Sequence, residues 1–382
     1  ISRPCLGRRF FYLPNYEEEP MKRVYNFNAG PSAMPLEVLE EVQQEFLDFK
    51  GTGMSVVEIS HRSKAYQEMQ DETIALMKKL LNIPEGYKIV FLQGGGSHQF
   101  LMVAMNFLKG KAGYINTGVW SKKAKEAAAF YGDVYDVATS AGDNFSFIPD
   151  MNEAGTFDIE PDTDYVYLTS NNTIHGTEWQ TFPHFDVPLI ADMSSDFLAR
   201  PVDVAKFDLI YAGIQKNVGT AGAVVVSIKE ELLEKANDAL PPYLQYKTFV
   251  DKDSTYNTPP VFCIYFINKV LHWLDRNGGL EAMEAINRKK AKIVYDAIDR
   301  SEGFYKGHAR EDSRSIMNVT FNLATPELEK EFAEAGTAQD LIGLKGHRSV
   351  GGCRASIYNA VPLAACEALA KFMDEFRVLH QD

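Results

Sequence analysis

Short apolar runs alternate with stretches of helical periodicity along the first two thirds of the chain. Leu39, Val42, Phe46 and Phe49 recur at the spacing of one helical face. The run 88–92 predicts a buried strand, closed by Gly94-Gly95-Gly96. Phe100, Val103, Ala104, Phe107 and Leu108 then form the apolar stripe of a helix. Further apolar runs lie at 113–116, 165–168, 188–191, 209–212 and 223–228. They lack polar alternation, which is what strands need in a sheet covered on both faces. Strands alternating with helices predict an α/β fold with a largely parallel sheet. In such sheets the chemistry collects at strand ends. Several runs do end in polar residues: Ser170-Asn171-Asn172, Asp192 and Gln215-Lys216.

After Pro259-Pro260 the pattern changes. Thr258 has the look of an N-cap, with proline just inside the helix that follows. That helix is predicted to run to Asn277-Gly278-Gly279, a good C-cap, and another follows to about Ser301. Met317, Val319, Phe321 and Leu323 alternate, which predicts a half-exposed strand. The chain closes on an amphipathic helix carrying Cys366, Leu369, Ala370, Met373 and Phe376 on one face. This part reads as a smaller α+β domain.

A chain of 382 residues, 45% of them hydrophobic, exceeds what one core usually accommodates, so two domains are expected. No apolar run is long enough to cross a bilayer. A net charge of −13 argues against nucleic-acid binding through a broad basic face. An anionic substrate would have to be caught by a local cluster of Arg and His. Cys5, Cys263, Cys353 and Cys366 are scattered, with no CxxC and no histidine at metal-ligand spacing. We expect idle thiols in a reducing cytoplasm, no disulfide framework and no metal. Residues 1–20 break with the rest: Arg3, Arg8 and Arg9 precede Glu17, Glu18 and Glu19, without the apolar stretch of a signal peptide. They read as an extension outside the core.

Most lysines are surface charges. Lys216, however, ends an apolar strand and is followed by Asn217-Val218-Gly219-Thr220-Ala221-Gly222. Small residues there let a ligand approach the backbone, and partial burial makes an amine a usable nucleophile. Asp192 ends another buried run, where a carboxylate must find a cation or strong donors. A helix cap or a structural ion pair would satisfy it. So would a pyridinium nitrogen, and a lysine plus such an acid is what pyridoxal phosphate requires. Gly94-Gly95-Gly96-Ser97 lies between strand and helix and suits a phosphate, or simply a tight turn. It lacks the lysine and spacing of a P-loop and the GxGxxG pattern, which counts against a nucleotide-binding module. His-Arg occurs at His61-Arg62 and His347-Arg348, with Arg354 soon after. Arginine offers a bidentate fork to carboxylate or phosphate, although surface pairing with acids is common. Trp120 alone is as readily core as cofactor platform.

Together these residues resemble the phosphoserine aminotransferases, a family of class-V pyridoxal-phosphate enzymes. The resemblance is carried by Asn26-Phe27-Asn28-Ala29-Gly30-Pro31, Glu58-Ile59-Ser60-His61-Arg62 and Gln93-Gly94-Gly95-Gly96-Ser97-His98-Gln99-Phe100. Tyr211-Ala212-Gly213-Ile214-Gln215-Lys216-Asn217, Leu344-Lys345-Gly346-His347-Arg348, Gly351-Gly352 and 354–360 complete it. It spans about residues 22–380 in order.

The resemblance implies fold type I of the pyridoxal-phosphate enzymes, aspartate-aminotransferase-like, with a mostly parallel seven-stranded sheet. A large domain at 36–280 and a small one from 21–35 and 281–382 follow. It implies that Lys216 holds the cofactor and moves the substrate proton, and that Asp192 pairs with the pyridine nitrogen. Trp120 would stack on the ring and Thr173 would bond its phenolic oxygen. Gly96, Ser97 and Gln215 would hold the phosphate, joined by Asn257 and Thr258 from the partner in a homodimer with shared sites. Arg354 would clamp the substrate α-carboxylate. His61, Arg62, His347 and Arg348 would receive the distal anion. Some members carry arginine where Ser97 stands. The implied substrates are L-glutamate and 3-phosphohydroxypyruvate, and in some bacteria the phosphorylated threonine precursor of vitamin B6. Other enzymes of this fold, an alanine–glyoxylate aminotransferase or a cysteine desulfurase, are the alternatives; a desulfurase would need a mobile cysteine, and Cys353 is the candidate.

Overall fold

The computed structural model describes residues 23–151, 153 and 155–380. The extension read at 1–20 lies outside them. Seven strands, β1 (Tyr87–Gly94), β2 (Lys111–Asn116), β3 (Asp133–Thr139), β4 (Thr163–Thr169), β5 (Leu189–Asp192), β6 (Leu209–Gly213) and β7 (Gly222–Lys229), form one sheet in the order β1-β7-β6-β5-β4-β2-β3. Every neighbouring pair is parallel except those of β7, which runs antiparallel to β1 and β6. The predicted mostly parallel α/β sheet is therefore present. Its apolar runs are continuous because both faces are covered. Val90 and Leu92 of β1 pack with Phe100, Val103 and Phe107 on one side. Ile89 and Phe91 pack with Tyr66, Met69 and Tyr265 on the other.

A separate core gathers Phe27 and Ala33 with Val294, Met317, Val319, Phe321 and Phe372. Here Lys306–Gly307, Asn318–Asn322 and Cys353–Ser356 form an antiparallel sheet, with helices Gly279–Asp299 and Leu363–Leu379 beside it. Gly278, at φ 90°, ends the helix Val261–Arg276 as its sequence predicts.

Three local expectations are corrected, and one strand goes unannounced in the sequence. The first helix spans Leu36–Glu45 and buries Val38 and Val42; Phe46 is exposed and Phe49 starts a separate short turn. β3 has no apolar run to announce it, because an edge strand tolerates Asp133 and Asp136. Thr258 caps nothing: the next helix starts at Val261, after both prolines, with no side-chain cap. Asn318–Asn322 is not half-exposed. Asn318 and Thr320 are buried along with Val319 and Phe321, because their face packs against polar partners rather than water. Asn318 accepts from Asn171 Nδ2 at 2.7 Å and donates to Ser356 Oγ at 2.9 Å and Tyr358 Oη at 3.2 Å. Such a face reads as solvent-exposed in a sequence.

Beside this seam, Glu178 and Arg200 are buried together, with Arg200 Nε 3.2 Å from Glu178 Oε1. Ile316 N also donates to Glu178 Oε2 at 2.7 Å. Burial still raises the Glu178 carboxyl above the usual range, against the pull of Arg200. Arg200→Met would strand that carboxyl, at a cost of about 3–5 kcal/mol. The loss should deepen as pH rises past the ordinary carboxylate value, because the unfolded chain then releases a proton the folded one keeps. Urea denaturation of parent and variant at about pH 5 and about pH 8 tests this; equal stabilities would refute it.

Candidate active site

Lys216, Asp192 and Thr173 reach the same space from the carboxyl ends of neighbouring strands. Lys216 follows β6, Asp192 ends β5, and Thr173 follows β4. They open onto a cavity of about 290 Å³, near the lower end of small-molecule sites. Lys216 Nζ donates to Thr173 Oγ1 at 3.1 Å. The lysine backbone is fixed from outside the sheet, since Ser32 N donates to Gln215 O at 3.1 Å and Ser32 Oγ to Lys216 O. Gly30 packs against both side chains: a Cβ there would lie 3.6 Å from Lys216 Cγ and 3.7 Å from Gln215 Cγ.

Asp192 is 5% exposed. Burial raises its carboxyl above the usual range, opposed by hydrogen bonds from Ser194 and the charge of Lys216. Ser194 N donates to Asp192 Oδ1 at 2.9 Å, and Ser194 Oγ accepts from Gly213 N at 2.9 Å, so the ends of β5 and β6 are stitched together. Among the described residues, no full positive charge forms an ion pair with the carboxyl. A protonated ring nitrogen would be one.

Across the cavity stands the helix Gly96–Phe107, with Gly95 extended before it. The first N–H groups of a helix have no partner within it. Those of Gly96 and Ser97 find no acceptor among the described residues. Both residues line the cavity, and a Cβ at Gly96 would come within 3.3 Å of Ser194 Oγ. Trp120 lines the same cavity and keeps a buried Nε1 without a partner among the described residues. The set fits a flat, phosphate-bearing aromatic cofactor: an amine, a buried acid, an indole and a free helix N-terminus surround one volume.

Arg354 Nη1 donates to Thr173 O at 3.3 Å, while its Nε is buried and has no partner among the described residues. Burial lowers its guanidinium below the ordinary value. An anion arriving here would meet a cation already stripped of water. His347 also lines the cavity. Its Nδ1 accepts from Ser349 N at 3.2 Å, which leaves Nε2 as the donor in the neutral ring. Burial and the nearby Arg354, Arg348 and Lys123 lower its pKa.

Of the residues singled out from the sequence, Gly96, Ser97, Trp120, Thr173, Asp192, Gln215, Lys216, His347 and Arg354 line this one cavity. His61, Arg62, Arg348, Asn257 and Thr258 do not line it within their own chain. Thr258 is exposed, with its carbonyl accepting from Gln93 Nε2 at 2.6 Å. Cys353 is buried and its thiol is pushed far up by desolvation and by Glu329, the opposite of a desulfurase nucleophile.

Ser194, Asn171 and His175 went unassigned in the sequence. Asn171 stands in the polar strand end Ser170-Asn171-Asn172, Ser194 only two residues beyond Asp192, and no sequence signal marks His175. His175 is 2% exposed, with its ring 4.9 Å from Phe145 and 5.6 Å from His308. Burial, then His308 and His347, push its pKa down to about 4.

The chain matches the family model "Aminotransferase class-V" over residues 24–369. It is 54% identical over 363 residues to the phosphoserine aminotransferase of Lysinibacillus sphaericus (strain C3-41), covering 94% of this chain and 99% of that one. The solved phosphoserine aminotransferase of Bacillus circulans subsp. alkalophilus superposes with a TM-score of 0.91 at 50% identity, covering 94% of this chain and 99% of the other. A pyridoxal-phosphate-bound phosphoserine aminotransferase from Trichomonas vaginalis gives 0.87 at 39% identity, covering 92% and 100%.

The buried histidine makes a pH prediction. Its folded pKa lies below the unfolded value, so the unfolded chain binds the extra proton first. Stability is whole above about pH 6.5 and is lost as pH falls from there towards about 4. His175→Asn should flatten that slope by up to about 1.4 kcal/mol per pH unit. Denaturation curves of both proteins across this window measure it; parallel curves would contradict the assignment.

Proposed function

The chain belongs to the class-V aminotransferase family, and we propose that it moves the amino group of L-glutamate to 3-phosphohydroxypyruvate, giving 2-oxoglutarate and O-phosphoserine. The observation that carries this reading is the convergence of Lys216 and Asp192 with the open helix N-terminus at Gly96 and Ser97 on one cavity. The relatives' names supply the substrate class. Bound pyridoxal phosphate supplies the electron sink for the carbanion left when the substrate Cα proton departs.

In this reading Lys216 would be the covalent attachment point and would carry the Cα proton. Asp192 would keep the ring nitrogen protonated. Thr173, already 3.1 Å from Lys216 Nζ, would bond the phenolic oxygen. Trp120 would cover the ring. Gly96, Ser97 and Gln215 would hold the phosphate. Arg354 takes the α-carboxylate that both substrates share, through a bidentate fork. His347 and Arg348, with His61 and Arg62, take the distal anion, which is a carboxylate in one half-reaction and a phosphate in the other. In a chain of net charge −13, these cations are what would draw a doubly anionic substrate. The same reading assigns 36–280 to a cofactor-holding domain and 21–35 with 281–382 to a second one. The shared core of Phe27, Ala33 and residues beyond Ala291 supports that division.

A panel of keto acids with glutamate as amino donor tests the activity. Phosphohydroxypyruvate should give the highest kcat/KM, above glyoxylate and pyruvate; the keto acid corresponding to phosphohydroxythreonine shows whether a vitamin B6 precursor is also accepted. A preference for glyoxylate would replace this reading with that of an alanine–glyoxylate enzyme.

We also place Asn257 and Thr258 in the site of a partner subunit. Thr258 is exposed and outside the cavity of its own chain, which leaves it open to a neighbouring subunit, and the family resemblance implies a phosphate ligand at this position. Two-fold symmetry would then make two identical composite sites. Thr258→Glu sets a like charge against the phosphate and should expel it, and Lys216→Ala removes the amine. In a mixed dimer of the two inactive variants, one site collects both defects and the other has neither. Purified, differently tagged mixed dimers should regain about half the parental activity per dimer. Mixed dimers as inactive as either parent would rule out sharing.

A further inference from the structure

Lys290 is a charged side chain for which the proposed reaction has no use. It sits on the helix Gly279–Asp299, is 0% exposed, and has no carboxylate among its hydrogen-bond partners. Its ammonium points instead at four carbonyl oxygens of a single turn. Nζ lies 3.0 Å from Ile357 O, 2.7 Å from Tyr358 O, 3.5 Å from Asn359 O and 3.1 Å from Val361 O. An ammonium has three N–H donors, so three close contacts and one longer one use them fully. Converging carbonyl oxygens are the ligand set proteins offer to a desolvated monovalent cation. Without a positive charge at their focus, the four dipoles would repel one another, and the turn would open to reach water.

This turn is the connection between two parts of the candidate site. Arg354 stands three residues before Ile357, on the strand Cys353–Ser356. At the other end Asn359 N donates to Asn217 Oδ1 at 3.0 Å, and Asn217 directly follows Lys216. Tyr358 Oη donates to Ala29 O at 2.9 Å, one residue from the Gly30 that packs on Lys216. Asn359 is held a third time, through its Nδ2 on Leu198 O at 2.8 Å. The register of the Arg354 guanidinium against the Lys216 amine therefore passes through the carbonyls that Lys290 gathers.

We propose that the Lys290 ammonium acts as a built-in monovalent cation, a positioning group that sets Arg354 against Lys216 and so tunes the affinity for the carboxylate shared by both substrates. The affinity part rests on the function proposed above. The cation part does not.

The test is Lys290→Ala with chemical rescue. Propylammonium replaces the three methylenes and the ammonium that the substitution removes. The variant should melt well below the parent, and propylammonium should restore its melting temperature saturably. Tetramethylammonium, at equal ionic strength, and n-propanol should not. KM for glutamate and for the keto acid should both rise about tenfold, which is about 1.4 kcal/mol, with kcat changed far less. Propylammonium should lower both again. Lys290→Met fills the volume without charge, so it should show the raised KM values with no response to the amine; this variant decides if the alanine form does not fold. A melting temperature indifferent to the choice of additive would overturn the cation role. Parental KM values in folded Lys290→Met, or melting restored with KM unmoved, would overturn the positioning role. A parent enzyme inactive on phosphohydroxypyruvate would count against the proposed function alone, since the melting response still decides whether the ammonium organises the turn.

Discussion

A carboxylate shut away from water has to be answered by positive charge or by strong donors, and the end of the main sheet is arranged around that need. Asp192 is the group in question. Its hydrogen bond from Ser194 N, the bond from Gly213 N to Ser194 Oγ, and the nearby Lys216 amine all follow from it. Behind it the hydroxyls of Tyr167 and Tyr211 pair at 2.6 Å, and both are held far above their ordinary range by burial and by the Asp192 charge. An acid, an amine and a cavity between them are thus products of one desolvation problem, met where parallel strands run out of neighbours.

The second constraint is the join between the two cores. It is polar rather than apolar. Asn171 Oδ1 accepts from Ser315 Oγ at 2.6 Å, Ser195 Oγ donates to Asn171 O at 2.8 Å, and Asn318 continues the chain of bonds to Ser356 and Tyr358. Buried amides of this kind have few alternative partners, so their geometry is specific in a way that apolar contacts are not. Arg354 lies two residues from Ser356 and inherits that specificity. Arg354 and His347 thus reach the cavity from the segment of the second core and Lys216 from that of the first.

Lys216 and Asp192 were legible in the sequence because each ends an apolar run with a charge, a combination that burial makes costly without a purpose. The sheet was legible for the same reason that it is buried: continuous apolar runs. Elements whose second face meets protein polar groups were not. Asn318 and Thr320 alternate with Val319 and Phe321 just as they would on a solvated strand, and only their partners across the seam reveal the difference. β3 escaped because an edge strand can carry acids. His175 and Lys290 escaped because their roles depend on residues far away in sequence, His308 for the first and the 357–361 turn for the second. For Thr258, a cap motif in the sequence yields to the two prolines, which delay the helix to Val261.

Cys353 stands beside Arg354 in the same strand, buried, with its thiol driven far from ionisation by desolvation and Glu329. Cys366, on the closing helix, is buried as well, with its thiol raised to about 12. Cys263 is only partly covered. Disulfide exchange needs a thiolate that a reagent can reach. Labelling should therefore be fast at Cys263 and slow at Cys353, and the slow rate is a clock. It counts the occasions on which the strand that carries Arg354 parts from its neighbours.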